Sequence, residues 1–415
     1  MQTKLPIHAS MTQWVTQDGE LLIAGQTLGT LAARVGRTPF YAYSRDLLRA
    51  RVDQLRTALP PQIKLHYAMK ANPMPAVVQF MAGLVDGIDV ASAGELQVAL
   101  NAGADPSEIS FAGPGKRDPE LRQSVAAGVL VNVESMRELP VLAAASQELG
   151  LPARVAVRVN PDFELKGSGM KMGGGAKQFG VDTDVVPEML AWIGREGLAF
   201  EGFHLFAGSQ NLRAESICEA QQKSYELALR LAQHAHTPVK FLNLGGGFGI
   251  PYFPGDQRLD LAPIGDNLAI LCERALRELP QAGIVIELGR FLVGEAGVYV
   301  TRIVDRKASR GQVFLVTDGG LNHHLAASGN FGQVVRKNYP VTIVRLGAGR
   351  AHGADCETAS VVGPLCTPLD LLADRMDLPQ AQIDDLVVVF QSGAYGASSS
   401  PQSFLGHPAC VEVLV

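Results

Sequence analysis

At 415 residues the chain is too long for one compact core, so two domains are expected, one of them large enough to be an α/β barrel. A net charge of -5 without a basic excess argues against a nucleic-acid backbone as the main partner, and five cysteines in no paired or zinc-type spacing suggest neither a disulfide frame nor a structural metal. The first 14 residues carry no apolar h-region and no stretch stays apolar long enough to cross a bilayer, so a cytoplasmic protein with a small-molecule partner and no membrane partner is the expectation.

Residues 1–36 hold only short apolar segments, such as 21–24, which could complete a β domain formed later in the chain. From about 64 to 288, β-branched or apolar runs alternate with amphipathic helical stretches, the signature of βα units around a parallel sheet. The runs lie near 65–69, 87–91, 109–112, 129–133, 154–159, 200–205, 241–244 and 284–288. This is roughly the number that closes a (β/α)8 TIM-like barrel. Each run ends in polar or glycine-rich sequence, on the face where barrel enzymes place their chemistry. Helices near 44–59 and 215–233 have apolar residues three and four apart and should form the outer ring.

After Arg290 the pattern changes to short strands near 298–305, 313–317, 341–344 and 386–390, separated by Gly, Asn and Asp turns. The expected division is a barrel over 37–288 and an all-β barrel domain built from 1–36 and 289–415.

Several residues could carry chemistry. Lys70 closes the first barrel run, where desolvation favours the neutral amine that Schiff-base chemistry needs; its bland alternatives are snorkelling to the rim or pairing with Asp89. Gly245, Gly246 and Gly247 follow a strand and could cradle a phosphate with bare N–H groups, or be ordinary turn residues. Glu287 and Arg290 set an acid beside a base at the barrel mouth, where a structural salt bridge is equally open. Cys366 reads either as a catalyst or as a small apolar residue, and Tyr395, flanked by glycines, as a ligand contact or a core tyrosine. The adjacent His323 and His324 are assigned no role, and no HExxH occurs.

The order of these segments resembles the fold-type III, alanine-racemase-like, pyridoxal 5'-phosphate (PLP) decarboxylases of the ornithine/diaminopimelate/arginine group, from about residue 31 to the C-terminus. The resemblance is carried by Leu31 to Tyr41, Tyr67-Ala68-Met69-Lys70-Ala71-Asn72, Asp89-Val90-Ala91-Ser92-Ala93-Gly94-Glu95, Gln178-Phe179-Gly180, Gly245 to Gly249, Glu287-Leu288-Gly289-Arg290, Gly363-Pro364-Leu365-Cys366 and Tyr395-Gly396. It implies a head-to-tail homodimer with shared active sites, Lys70 as the internal aldimine lysine, and a phosphate site of Gly245, Gly246, Gly247, Arg290 and Tyr395. It also implies Glu287 at the pyridine nitrogen, where racemases of the same fold use arginine. Asp89 is then expected near Lys70, Asp370 near the substrate amine, and Cys366, delivered by the neighbouring subunit, as the proton donor to the quinonoid that CO2 loss leaves.

Two departures from the family pattern bear on the substrate. Relatives have His-x-Gly-Ser where this chain reads Phe206-Ala207-Gly208-Ser209, which puts Phe206 in the stacking position, with His204 two residues earlier and Ser209 retained among the cofactor contacts. Diaminopimelate enzymes have Cys-Glu-Ser-Gly-Asp where this chain reads Cys366-Thr367-Pro368-Leu369-Asp370, and an Arg-Pro-Ala-Tyr-like segment after Asp318-Gly319-Gly320 is missing. A pocket without those partners leaves the far charges of diaminopimelate unpaired. Residues 206–211, 167–175 and 400–405 look most like the exosortase-associated and glutamyl-[acyl-carrier-protein] decarboxylase subgroup of natural-product clusters. The expected activity is therefore decarboxylation of an amino acid or an aminoacyl group, free or tethered to an acyl carrier protein. Lys166, Lys171 and Lys177 are candidates to meet an acidic carrier protein or a carboxylate, against the alternative of a mobile solvated loop. The competing readings are diaminopimelate decarboxylase itself and a non-catalytic regulatory homologue.

Overall fold

The computed structural model describes residues 7–17, 20–167, 169–333, 335–346 and 355–415. They divide into two compact units: residues 51–250 with 259–291, and residues 1–50 with 251–258 and 292–415.

The first unit is a closed parallel barrel of eight strands: β1 (Lys64–Ala68), β2 (Gly87–Val90), β3 (Ile109–Phe111), β4 (Leu130–Val133), β5 (Arg154–Asn160), β6 (Ala199–Leu205), β7 (Phe241–Gly246) and β8 (Gly283–Leu288). Each strand lies within two residues of a run read from the sequence. In-register pairing of Glu287 with His66 and of Leu288 with Tyr67 closes β8 onto β1. Both faces of these strands are buried, as in β5, where Val155, Val157 and Val159 on one face and Ala156 and Arg158 on the other are all buried. The helices around them bury one stripe each. In Val186–Glu196 that stripe is Val186, Met189, Leu190 and Ile193, and in Ala214–Ala232 it includes Ile217, Ala220, Leu227, Ala228 and Leu231. Each such Val, Leu, Ile or Met side chain contributes on the order of 1.5–3 kcal/mol when fully removed from water.

The second unit is an eight-stranded, barrel-like β sheet. Its main path runs Val341–Val344, Leu386–Val389, Gly297–Ser309, Gln312–Thr317, Cys356–Val362 and Leu371–Pro379. Phe40–Tyr43 pairs antiparallel with the first half of Gly297–Ser309 and parallel with Val411–Leu414. Four of these strands went unread in the sequence: Phe40–Tyr43, Cys356–Val362, Leu371–Pro379 and Val411–Leu414. In Cys356–Val362 and Leu371–Pro379, mixed charged and apolar residues blur the alternation. The stretch 37–50, expected at the start of the barrel, groups with the β unit, because Phe40 and Ala42 pack in one cluster with Val298, Val300, Leu386 and Val388. Leu21 and Ile23 join that cluster, although Glu20–Ile23 pairs only with Thr16–Gln17 and Gln26–Thr27 in a small sheet of its own. No helix among the described residues is long and apolar enough to cross a membrane.

Candidate active site

The polar residues of the barrel gather at the C-terminal ends of its strands. β1 stops at Ala68, and a one-turn 3-10 helix, Met69–Ala71, carries Lys70, so the lysine sits one turn past the strand rather than closing it. It is exposed at the mouth, with Nζ 5.7 Å from the centroid of the Phe206 ring, and has no hydrogen bond or ion pair among the described residues. Asp89 does not pair with it. The Asp89 carboxylate faces His66 Nδ1 at 3.1 Å and accepts from Ser110 Oγ, which in turn accepts from Asn132 Nδ2 at 3.1 Å. Burial alone would lower the basicity of His66, but Asp89 outweighs it and raises the imidazole above its ordinary value.

At the end of β8, Glu287 Oε2 lies 3.1 Å from His204 Nε2, with the two side chains 8% and 3% exposed. Neither ring nitrogen of His204 makes an aligned hydrogen bond, so the contact is chiefly electrostatic. Burial pushes the Glu287 carboxyl up, but His204, and more distantly Lys70 and Arg158, hold it below the ordinary carboxylate range. Glu287 is therefore an ionised acid in a nearly dry site.

β7 ends in Gly245, Gly246 and Gly247. A Cβ on Gly246 would stand 2.3 Å from the Glu287 carbonyl oxygen, and one on Gly247, at φ +75°, would stand 2.5 Å from that of Gly208. Only glycine lets the chain turn there against its neighbours. The turn leaves the N–H groups of Gly247 and Phe248, both buried, without a partner among the described residues. Ser209 follows β6 and makes no side-chain hydrogen bond among the described residues, and Arg290, half-buried, opens the short helix Arg290–Val293 after β8. Two free N–H groups, a hydroxyl and a guanidinium suit a phosphate, and an ionised acid nearby suits a protonated ring nitrogen. Asp89 Oδ2, Asn132 Oδ1, His204 Nδ1 and Asn243 Nδ2 are likewise buried without a hydrogen-bond partner. The donor set and these orphaned atoms fit a polar, phosphorylated aromatic ligand.

A second charged cluster, unread in the sequence, flanks this one. Arg158 donates to Glu134 Oε1 at 2.9 Å, and Lys116 lies 3.2 Å from Glu138 Oε1 and donates to the Gly113 and Asn132 carbonyls. Glu134 also accepts from Gly180 N at 2.9 Å, and the Arg158 guanidinium sits 5.1 Å from the Phe179 ring centroid. This explains Gln178-Phe179-Gly180 physically: the segment is fastened to the barrel by a buried ion pair. Burial pushes the Glu134 carboxyl up, but Arg158 and Lys116 outweigh it. The signal that could have found His66 and Arg158 is a polar side chain at every second position near a strand end, in a strand otherwise apolar.

Cys366, Asp370 and Tyr395 lie in the β unit. Cys366 is exposed in the turn between Cys356–Val362 and Leu371–Pro379. Tyr395 is half-buried at φ +52°, its ring 6.1 Å from that of Phe331. Asp370, expected beside a substrate amine, is buried, and both its oxygens accept from backbone N–H groups, of Leu321 and Leu365. Among the loop lysines, Lys166 pairs with Glu219 at 3.2 Å and Lys177 is half-buried, while Ser168 and the side chain of Lys171 fall outside the described residues. No cluster of metal-ligating side chains occurs among the described residues.

The family model for the pyridoxal-dependent decarboxylase, pyridoxal binding domain, matches residues 45–294. The chain belongs to the pyridoxal-dependent decarboxylases. It is 38% identical over 382 residues to the L-glutamyl-[BtrI acyl-carrier protein] decarboxylase of Niallia circulans, covering 91% of this chain and 88% of that one. It is 34% identical over 406 residues to the diaminopimelate decarboxylase of Aquifex aeolicus (strain VF5), covering 96% and 91%. The crystal structure of diaminopimelate decarboxylase from Helicobacter pylori complexed with L-lysine superposes with a TM-score of 0.80 at 28% identity, covering 93% of this chain and 94% of that one. This decarboxylase is thus a PLP-dependent carboxy-lyase acting on an amino-acid substrate, with the barrel and β-domain architecture of fold type III.

Proposed function

We propose that this decarboxylase acts on an aminoacyl group carried by an acyl carrier protein, and that Lys70, Glu287 and Cys366 perform the chemistry. Lys70 would hold the cofactor through its amine. Gly245, Gly246 and Gly247, with Ser209 and Arg290, would receive the phosphate, and Glu287 the ring nitrogen. When bound, PLP supplies an electron-poor ring that accepts the electron pair left as CO2 departs. Phe206 would cover one face of the ring, His204 keeps Glu287 ionised, and Asp89 and His66 form the polar floor beneath. Cys366, from a second copy of the chain in a head-to-tail dimer, would place its thiol proton on the substrate carbon.

The observation that carries the substrate reading is the charge inventory of the turn after Cys366. Thr367, Pro368 and Leu369 bring no charge, and the carboxylate of Asp370 is occupied by Leu321 and Leu365. A free ammonium at the far end of diaminopimelate would meet no acid from this turn, whereas an acyl thioester presents none to satisfy. The likeness to the carrier-protein decarboxylase of Niallia circulans supports the same reading.

The test is CO2 release by the PLP-loaded enzyme from L-glutamyl-loaded carrier protein, free L-glutamate and meso-diaminopimelate, assayed side by side. Faster release from the carrier-bound group by about tenfold or more in kcat/KM supports the proposal. Lysine formed from diaminopimelate at the higher rate overturns it.

A further inference from the structure

The turn that bears Cys366 is held by an unusual amount of fixed hydrogen bonding for so exposed a residue. Asp370 is 3% exposed. Its Oδ2 accepts from Leu365 N at 2.8 Å, beside Cys366, and its Oδ1 from Leu321 N at 2.6 Å, in a separate turn. The carboxylate fits only because both turns are bare at that point. A Cβ on Gly363 would stand 2.3 Å from Oδ2, and one on Gly320 2.1 Å from Oδ1. Further ties come from Gly363 N to the Asp370 carbonyl at 3.1 Å, Asn330 Nδ2 to the Leu369 carbonyl at 3.3 Å and Arg336 Nη2 to the Leu371 carbonyl at 2.6 Å.

The Leu321 turn is itself anchored on its other side. His324 is fully buried among the rings of Tyr41, Tyr299 and Tyr339; its Nδ1 accepts from Ala327 N at 3.2 Å, which leaves Nε2 to donate to Ser392 Oγ at 2.9 Å, just before Tyr395. The turn 319–324 therefore stands between the segment bearing Cys366 and the segment bearing Tyr395, and Asp370 is its only carboxylate tie to the former among the described residues.

We infer that Asp370 is a positioning residue for Cys366: its carboxylate fixes the thiol-bearing turn against the 319–324 turn instead of binding the substrate amine. A buried carboxylate that accepts one backbone N–H on each oxygen is committed to holding those two segments together, and withdrawing it strands two buried N–H groups. The inference rests on the reading of Cys366 as proton donor. If the thiol of Cys366 were displaced, the substrate carbon would lose its proton donor; a proton delivered instead to the bound cofactor would, after hydrolysis by water, give a carbonyl product with the amino group retained by the cofactor.

The test compares Asp370→Asn, which keeps the volume but presents an NH2 to one of the two N–H groups, with Gly363→Ala, which keeps the carboxylate and displaces it. Hydrogen exchange at Leu321 and Leu365, and the iodoacetamide labelling rate of Cys366 relative to Cys356, are read by peptide mass spectrometry without substrate. Product partition and kinetics are read with L-glutamyl-loaded carrier protein, beside Cys366→Ser and the Asp370→Asn/Cys366→Ser double variant. Expected are exchange faster by about tenfold at both amides, an altered labelling ratio, a larger carbonyl fraction at KM within about twofold of wild type, and a double variant no worse than Cys366→Ser alone. Unchanged exchange and labelling overturn the inference, as does a KM raised about tenfold with normal partition, the mark of a substrate ligand. A Cys366→Ser enzyme that partitions like wild type sinks the proton-donor reading instead, whereas an altered Cys366→Ser beside a normal Asp370→Asn sinks only the role of Asp370.

Discussion

The imidazole of His204 stands 3.1 Å from Glu287 Oε2 in a site almost closed to solvent, and it is the main reason that this carboxylate stays ionised despite its burial. Because burial and His204 act in opposite directions, the acid is charged where an isolated one would tend to take up a proton. Glu287→Gln keeps the shape and removes the charge. Turnover is expected to fall by about 100- to 1000-fold, the usual scale for losing one preorganised electrostatic partner. CO2 release per bound cofactor checks this, and a variant with half of wild-type turnover would show that the charge faces something other than the ring.

The free amine of Lys70 leads to a second expectation. With no ion pair among the described residues to satisfy, Lys70 is not needed for the barrel to fold, so Lys70→Ala should retain the wild-type melting temperature within about 2 °C. It should lose the yellow colour of the loaded enzyme and all turnover. Lys70→Arg should behave alike, because a guanidinium stays protonated and cannot act as the nucleophilic amine. Activity in either variant would mean that another amine serves.

The barrel was readable in the sequence because its strands are short runs of β-branched or apolar residues, each ending in Gly, Asn or Ser, a pattern that turn chemistry punctuates cleanly. Val341–Val344 in the β unit was readable as a β-branched run, Val-Thr-Ile-Val. Cys356–Val362 and Leu371–Pro379 were not, since each runs from the core to the surface and loses its period-two signal where both faces are wet. Phe40–Tyr43 was masked differently: all four residues are buried, and nothing local says that their partners are Gly297–Ser309 and Val411–Leu414, hundreds of residues away in the chain. Of the candidate site, residues that end strands were legible by position. The pairing of His66 with Asp89, and the engagement of Asp370 by Leu321, depend on which distant segment lies opposite, which no local pattern encodes.

Gly247 turns at φ +75° with the Gly208 carbonyl where a Cβ would go, so Gly247→Ala combines backbone strain with a collision against main chain. Each left-handed non-glycine residue costs about 1–3 kcal/mol, and the clash adds to it. The expected result is a lower denaturation midpoint together with PLP affinity weakened by at least about tenfold, since the unpartnered N–H groups of Gly247 and Phe248 would be displaced. Equilibrium dialysis of PLP against the folded variant separates the two effects, and unchanged affinity would remove this turn from the phosphate site.

His324 gives a pH dependence whose sign can be worked out. Burial among Tyr41, Tyr299 and Tyr339 pushes its imidazole down to about 3, from an ordinary value of 6.5. Between those limits the unfolded chain binds a proton that the folded chain refuses, so the contribution of this group is complete above 6.5 and is lost progressively as the pH falls. The loss approaches about 1.4 kcal/mol per pH unit. His66 does not cancel it: its value is raised, so its contribution is present on the acid side and is lost only as the pH rises through its folded value. His324→Gln keeps a donor for Ser392 Oγ and an acceptor for Ala327 N, yet cannot titrate. Urea midpoints of the β unit measured from pH 7 down to about 5 should therefore fall more steeply for the wild type than for His324→Gln. Parallel slopes would show that the imidazole is protonated in the fold, and that the ring cage around it opens to water.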